Sequence, residues 1–331
     1  MKKYLTITVV AILNVLGQGV AAQAQTIEPA STVIKPAISR VTFEAGVLYW
    51  QGTSKLQEDR GGPPNKLVSR LTFSNMASRS IEMYGRLDVG RLFMKGNIGL
   101  GGVSSGQMKD EDWDLYDGRV PYQKTQHQIH GGAISSATID VGRTVLKRGN
   151  KKIGVFLGYN HYAQRMELYG CTQIAPNVQE YSRGCGFDEI PKSMLTSIVD
   201  TVWKSVRVGT IVESKFNRFK VNGEVVLIGT KLINRDNHLA RFYTTWFDDH
   251  GYGYGFEAEA MATYLINDHF SINGGWRYWS VVTIYGRGTC TSSGYKGCSE
   301  NSLGGVTTAP GGPIKYRSHR SGLLIGLTGK F

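Results

Sequence analysis

Apolar and polar residues alternate with a period of two along most of this chain, and that alternation is the strongest constraint on its fold. It places successive side chains on opposite faces of an extended strand. Ten stretches carry it: Arg40–Trp50, Leu67–Val89, Leu92–Ser104, Ala133–Leu146, Ile153–Leu168, Thr201–Ser214, Phe219–Ile233, Tyr252–Ile266, His269–Tyr285 and Arg317–Phe331. The connections between them alternate in length. Short ones fall at Gly90, Gly149, Lys215 and Asn267; long ones precede Leu67 and surround Asp110, Cys171, Asp236 and Cys290. A transmembrane barrel with both termini on one side has this asymmetry, with tight turns at one end and long loops at the other. A soluble sandwich or propeller has no reason to alternate so regularly. The sequence therefore predicts an all-β fold, a ten-stranded antiparallel transmembrane β-barrel over residues 40–331.

The chain of 331 residues has a slightly negative mean hydropathy. A barrel accommodates this because only every second strand residue meets lipid. Past the N-terminus no stretch approaches the ~18–20 continuous apolar residues of a spanning helix. The 42 glycines and 17 tyrosines fit small inward residues and aromatic girdles at the membrane interfaces. At the start, Lys2 and Lys3, the apolar run Leu5–Val20 and the small residues of Ala22-Gln23-Ala24 have the layout of a cleavable export signal over 1–24. Residues 25–39, with two prolines, read as a periplasmic lead-in. At the other end Leu323, Ile325, Leu327, Gly329 and Phe331 alternate with Gly326, Thr328 and Lys330. A terminal aromatic after such a strand is similar to the signal by which bacterial barrel-assembly machinery recognises its substrates. The expected location is the outer membrane of a Gram-negative bacterium, with the long loops extracellular.

Four cysteines fall in two close pairs, Cys171 with Cys185 and Cys290 with Cys298. In an exported protein this spacing predicts two local disulfides. A metal site lacks His-x-Cys spacing, and free thiols are the remaining alternative. The formal charge is +12, about ten once the signal lysines are removed. For a secreted membrane protein this points to anionic lipid or lipopolysaccharide phosphate rather than nucleic acid.

Ten strands are too few for the open aqueous lumen of the ~16–18-stranded porins, so chemistry is sought at the loop end. Two clusters there have strand spacing: Asp110-Glu111-Asp112-Trp113 and Asp236-Asn237-His238. If the strands extend so far, Asp110 and Asp112 share one wall of a groove and Asp236 and His238 another. A histidine beside a carboxylate is oriented and made more basic, so it can take a proton from water. A carboxylate pair opposite could position that water and manage protons, since like charges at close range raise one pKa. No metal or other cofactor is needed for such hydrolysis.

Here the chain resembles the omptins, ten-stranded outer-membrane proteases with an Asp-Asp pair facing an Asp-His dyad. Met108-Lys109-Asp110-Glu111-Asp112-Trp113 matches the family's M-x-D-x-D-W motif, and Asp236-Asn237-His238 its D-x-H motif. Ser69–Phe73, Gly101-Gly102, Gly158-Tyr159 and the terminal Phe331 agree in order and placement. The resemblance implies an aspartic-type endopeptidase acting on a peptide or protein substrate. By analogy Asp236 and His238 activate water while Asp110 and Asp112 complete the site. Two departures stand out. Asn234 occupies the place of an acid that omptins use for basic substrates, and Glu58 or Asp59 in the first long loop are the substitutes on offer. The family's need for lipopolysaccharide maps here only onto Tyr159 and Arg165, with His161 where an acid is expected. His127 and His130 read as solvated, and Trp276, Tyr278 and Trp279 as girdle. The alternative function is a non-catalytic barrel with a structural, adhesive or host-contact role.

Overall fold

The computed structural model describes residues 41–62, 66–113, 121, 123–174, 185, 189–240, 245–292 and 307–331. The export signal, the lead-in and Cys298 lie outside them. Eleven strands follow in order: β1 Val41–Gly62, β2 Lys66–Val89, β3 Leu92–Asp112, β4 Gln123–Ile129, β5 Ala133–Arg148, β6 Lys151–Gln173, β7 Ile190–Phe216, β8 Phe219–His238, β9 Thr245–Leu265, β10 Phe270–Ser292 and β11 Thr307–Lys330. All pairings are antiparallel, and β1 closes on β11 from Glu44↔Lys330 to Arg60↔Ile314. Closure leaves no edge strand in the ring of described residues.

The eleven segments make a ring of ten. β4 and β5 both lie between β3 and β6, with β4 on Gly106–Asp112 and β5 on Leu92–Gly102. They are one rung interrupted at His130–Gly132. Gly131 and Gly132 have φ of 111° and 141°, a region that residues with a Cβ rarely enter. At the other end Gly90, Gly149 and Asn217 turn the chain with φ of 62°, 56° and 51°. These are three of the four tight turns expected from the sequence, and Asn267 makes the fourth with its side chain accepting from the amides of His269 and Phe270.

Burial alternates with the reverse logic of a soluble protein. Leu323, Ile325 and Leu327 are 62–63% exposed, whereas Leu324 between them is 1% exposed. Outward Ile81, Met83, Ile98, Leu100, Leu157 and Leu227 continue an apolar band round the barrel, the surface that faces hydrocarbon. Inward, the half nearest the tight turns is charged and paired. Arg277 bonds Glu82 at 3.0 Å and Glu259 at 2.6 Å, Lys95 lies 3.3 Å from Asp140, and Arg86 bonds Glu213. Such groups survive burial because each has its counter-charge. They line a cavity of about 180 Å³ reaching Asp268, His269 and Lys330 at the turn end.

Tyr162 and Trp279 roof that cavity. Trp279, read from sequence as girdle, instead points inward and packs against Trp203 and Tyr162 with ring centroids 5.9 and 5.8 Å apart. Met76, Met166, Phe73 and Leu232, all buried, join them in one cluster. This apolar waist lies between the charged half and the far end.

Tight packing also governs the lower wall. The place a Cβ would take at Gly209 coincides with the ring of Phe156, which is buried with the Lys95 ammonium 4.5 Å from its centroid. Gly209→Val should therefore cost about 1–3 kcal/mol of overpacking, measurable as a lower urea midpoint for the refolded barrel. An unchanged midpoint would show that the ring moves freely.

Candidate active site

The strands do not stop where the apolar band ends. The exposed large apolar residues of β3 end at Leu100 and those of β8 at Leu227, yet β3 runs to Asp112 and β8 to His238. The stretch Gly106–His130, read from sequence as a loop, is thus largely strand. The first long loop is corrected likewise, since Glu58 and Asp59 belong to β1.

On the β8 extension, Asp236 and His238 point the same way. The Asp236 Oδ2 lies 3.2 Å from His238 Nε2, with Asp236 buried and His238 partly open. Their partners on β9 are Phe247 and Thr245, and the Phe247 ring meets the imidazole edge-on at 5.4 Å. On β3, half-buried Asp110 and Asp112 stand opposite Leu71 and Ser69 of β2 and Thr125 and Gln123 of β4. Counted round the ring (β3, β4, β6, β7, β8), the two pairs are four positions apart in ten, so they occupy facing walls.

His127 departs from its sequence reading. It sits half-buried on β4, opposite Met108, with Nδ1 3.1 Å from the Thr196 hydroxyl. The same hydroxyl reaches the Leu168 and Gly170 carbonyls at 3.0 and 3.3 Å. Burial holds the His127 pKa below the ordinary histidine value; the Gly170 carbonyl and Asp236 oppose this, and His238 reinforces it. His127 therefore stands within electrostatic reach of the Asp-His pair. His130 is exposed, as expected.

Next to that pair lies a cluster that sequence reasoning only partly anticipated. Asn234, two residues before Asp236, faces Asp249 of β9 across the ladder. Asp249 is 0% exposed, Glu58 1% and Tyr316 1%. Arg60 reaches between the acids, 2.5 Å from Glu58 and bidentate to Asp249 at 2.7 and 3.2 Å. The Tyr316 hydroxyl donates to Asp249 at 2.5 Å, and the Asn234 amide donates to Tyr316 at 2.9 Å while accepting from Thr201 at 2.7 Å. Arg60 lies 4.6 Å from the centroid of the same Phe247 ring that touches His238. Burial raises the Glu58 pKa to about 7, with Arg60 opposing and Asp249 adding to the rise. Burial raises Asp249 too, held back by Arg60 and Tyr316. Burial disfavours the charge on Arg60, but Glu58 and Asp249 outweigh it and hold the guanidinium protonated. Glu58 and Asn234 are thus brought together, whereas Asp59 points outward to Arg70 at 2.6 Å and Arg317 at 3.2 Å. Asp249, Arg60 and Tyr316 were missed. Continuing the alternation upstream of Tyr252 would have found Asp249.

The remaining candidates lie outside the groove. Tyr159 and Arg165 share the outer face of β6 but are six residues, about 20 Å, apart. Cys171 and Cys185 form a disulfide with Cα atoms 5.4 Å apart; Cys290 is also disulfide-bonded, and its expected partner Cys298 is outside the described residues. Among the described residues no group of three or more His, Cys, Asp or Glu is disposed to hold a metal ion.

No protein-family model matches the chain, and no curated protein matches its sequence. Among solved structures, the outer membrane protease OmpT from Escherichia coli is similar over 88% of this chain and 97% of its own, at 13% identity and a TM-score of 0.72. The outer membrane protein OprG from Pseudomonas aeruginosa covers 88% and 95% at 10% identity, but with a TM-score of only 0.27. The chain therefore has the fold of an omptin-like outer-membrane β-barrel, at an identity that shows fold alone.

Proposed function

We propose that this protein is an outer-membrane endopeptidase of omptin type, with its loop end and groove on the extracellular side. The observation that carries the reading is the Asp236–His238 contact of 3.2 Å on a wall facing Asp110 and Asp112. In this mechanism His238 takes a proton from a water in the groove, and Asp236 orients the ring and stabilises the imidazolium. The carboxylates of Asp110 and Asp112 bind the same water from the other side. The activated water attacks the peptide carbonyl, and the proton on His238 passes to the departing amine. No covalent intermediate forms.

Lipopolysaccharide is the proposed lipid partner. Beyond the apolar band, the outward positions Lys55, Arg79, Lys204 and Lys231 are exposed cations at the level where lipid phosphates sit. Tyr159 and Arg165 would contribute on β6.

The test is cleavage of a diverse peptide library by refolded protein with and without lipopolysaccharide. The expected result is internal cleavage that persists in chelator and after serine-directed reagents. A refolded, heat-modifiable barrel that cuts nothing in the library would sink the proposal.

A further inference from the structure

Basic side chains are the obvious guests for a recess with two buried carboxylates, yet this recess is already filled. Glu58 and Asp249 are 1% and 0% exposed, and neither could remain ionised there without a cation. Arg60 supplies it from the same chain, with the short contacts to both acids described above. Asn234 and Tyr316 complete the floor. The recess adjoins the proposed reacting pair, because Phe247 touches both Arg60 and His238.

We propose that Arg60 is a specificity-determining residue: it occupies the acidic recess permanently, so that arginine or lysine of a peptide is excluded and an uncharged side chain is accepted against Phe247. The inference rests on the proposed protease reading for its substrate, but not for its binding chemistry. A bidentate guanidinium–carboxylate pair in a desolvated pocket is among the stronger polar contacts available. An incoming guanidinium would have to displace an identical group that is tethered two residues from one of its own partners, and loses to it on effective concentration. A second cation in the recess would also stand in like-charge contact with Arg60, which already lies against both acids.

Two readouts separate this inference from the protease reading. The first is binding of N-acetyl-arginine amide to the refolded barrel by calorimetry. Wild type should show none up to about 10 mM, whereas Arg60→Ala and Arg60→Gln should bind at least about tenfold more tightly through the vacated acids, and adding Asp249→Asn should abolish it. The second is hydrolysis of matched peptides with Leu or Arg before the cut bond. Wild type should favour Leu by about 100-fold in kcat/KM, and Arg60→Gln should narrow that by about tenfold or more. If Arg60→Ala refolds only with the arginine probe present, the recess is a guanidinium receptor, as inferred. If it refolds in neither case, Arg60→Gln carries the test. Variants that bind the probe no better than wild type, or a wild type that already binds it, overturn the inference even if no peptide is cleaved. Absence of cleavage alongside the expected binding would overturn only the protease reading.

Discussion

His238→Ala is expected to lower kcat/KM by about 10²–10⁴-fold on any peptide the protein cuts, the usual contribution of a general base. Asp236→Asn should fall in the same range, since an amide still fills the space but cannot stabilise the imidazolium. The side chains are 3.2 Å apart and act as one unit, so the double variant should be little worse than the poorer single one. His127 provides the control. It is close enough to feel Asp236 and His238, but its Nδ1 is engaged with Thr196, so His127→Gln should change kcat/KM far less. All three variants should keep heat-modifiable migration, because none contributes to the apolar waist. Cleavage that survives in the Asp236/His238 double variant would leave a non-catalytic barrel as the better description.

The second large effect lies in the waist itself. Trp203 and Trp279 are 1% and 7% exposed with centroids 5.9 Å apart. Truncation to alanine should cost about 3–5 kcal/mol at either site, and less than the sum when combined, since the two share a cavity. The barrel should still close, because the ladders from β1 to β11 do not depend on these rings. What changes is the lumen: with both indoles gone, the charged cavity below and the groove above become continuous. Planar bilayers should show no conductance for wild type and small steady currents for the double variant. Conductance in wild type would mean that the waist does not seal.

Strands inside the lipid band were legible because hydrocarbon enforces an apolar residue at every second position, as in Leu323, Ile325 and Leu327. Beyond the band both faces of a strand meet water or polar groups, and the alternation loses its hydropathic contrast. That is why Gly106–His130 read as a loop although β3 continues to Asp112 and β4 follows. It is also why Glu58 was placed off the barrel wall. The interruption at Gly131 and Gly132 was invisible as such, since adjacent glycines equally mark a strand start. Within the groove, the pairs Asp110/Asp112 and Asp236/His238 were legible because i and i+2 share a face whatever the strand's neighbours. The Arg60–Asp249 clamp was not, because it joins residues 189 positions apart, a pairing that only closure of the ring creates.

If the apolar waist seals the lumen, as the absence of wild-type conductance would show, the groove is open only toward the loop end. With the lumen closed, a chain entering the groove does not thread through and emerge below; whatever goes in comes back out past the rim. An extended polypeptide therefore docks as a bow, its middle dipped toward Asp236 and His238 and both tails trailing outside. Under the proposed activity, an internal bond is presented before either terminus. Exposed flexible segments long enough to bend over the rim should then be cut faster than short peptides of the same local sequence.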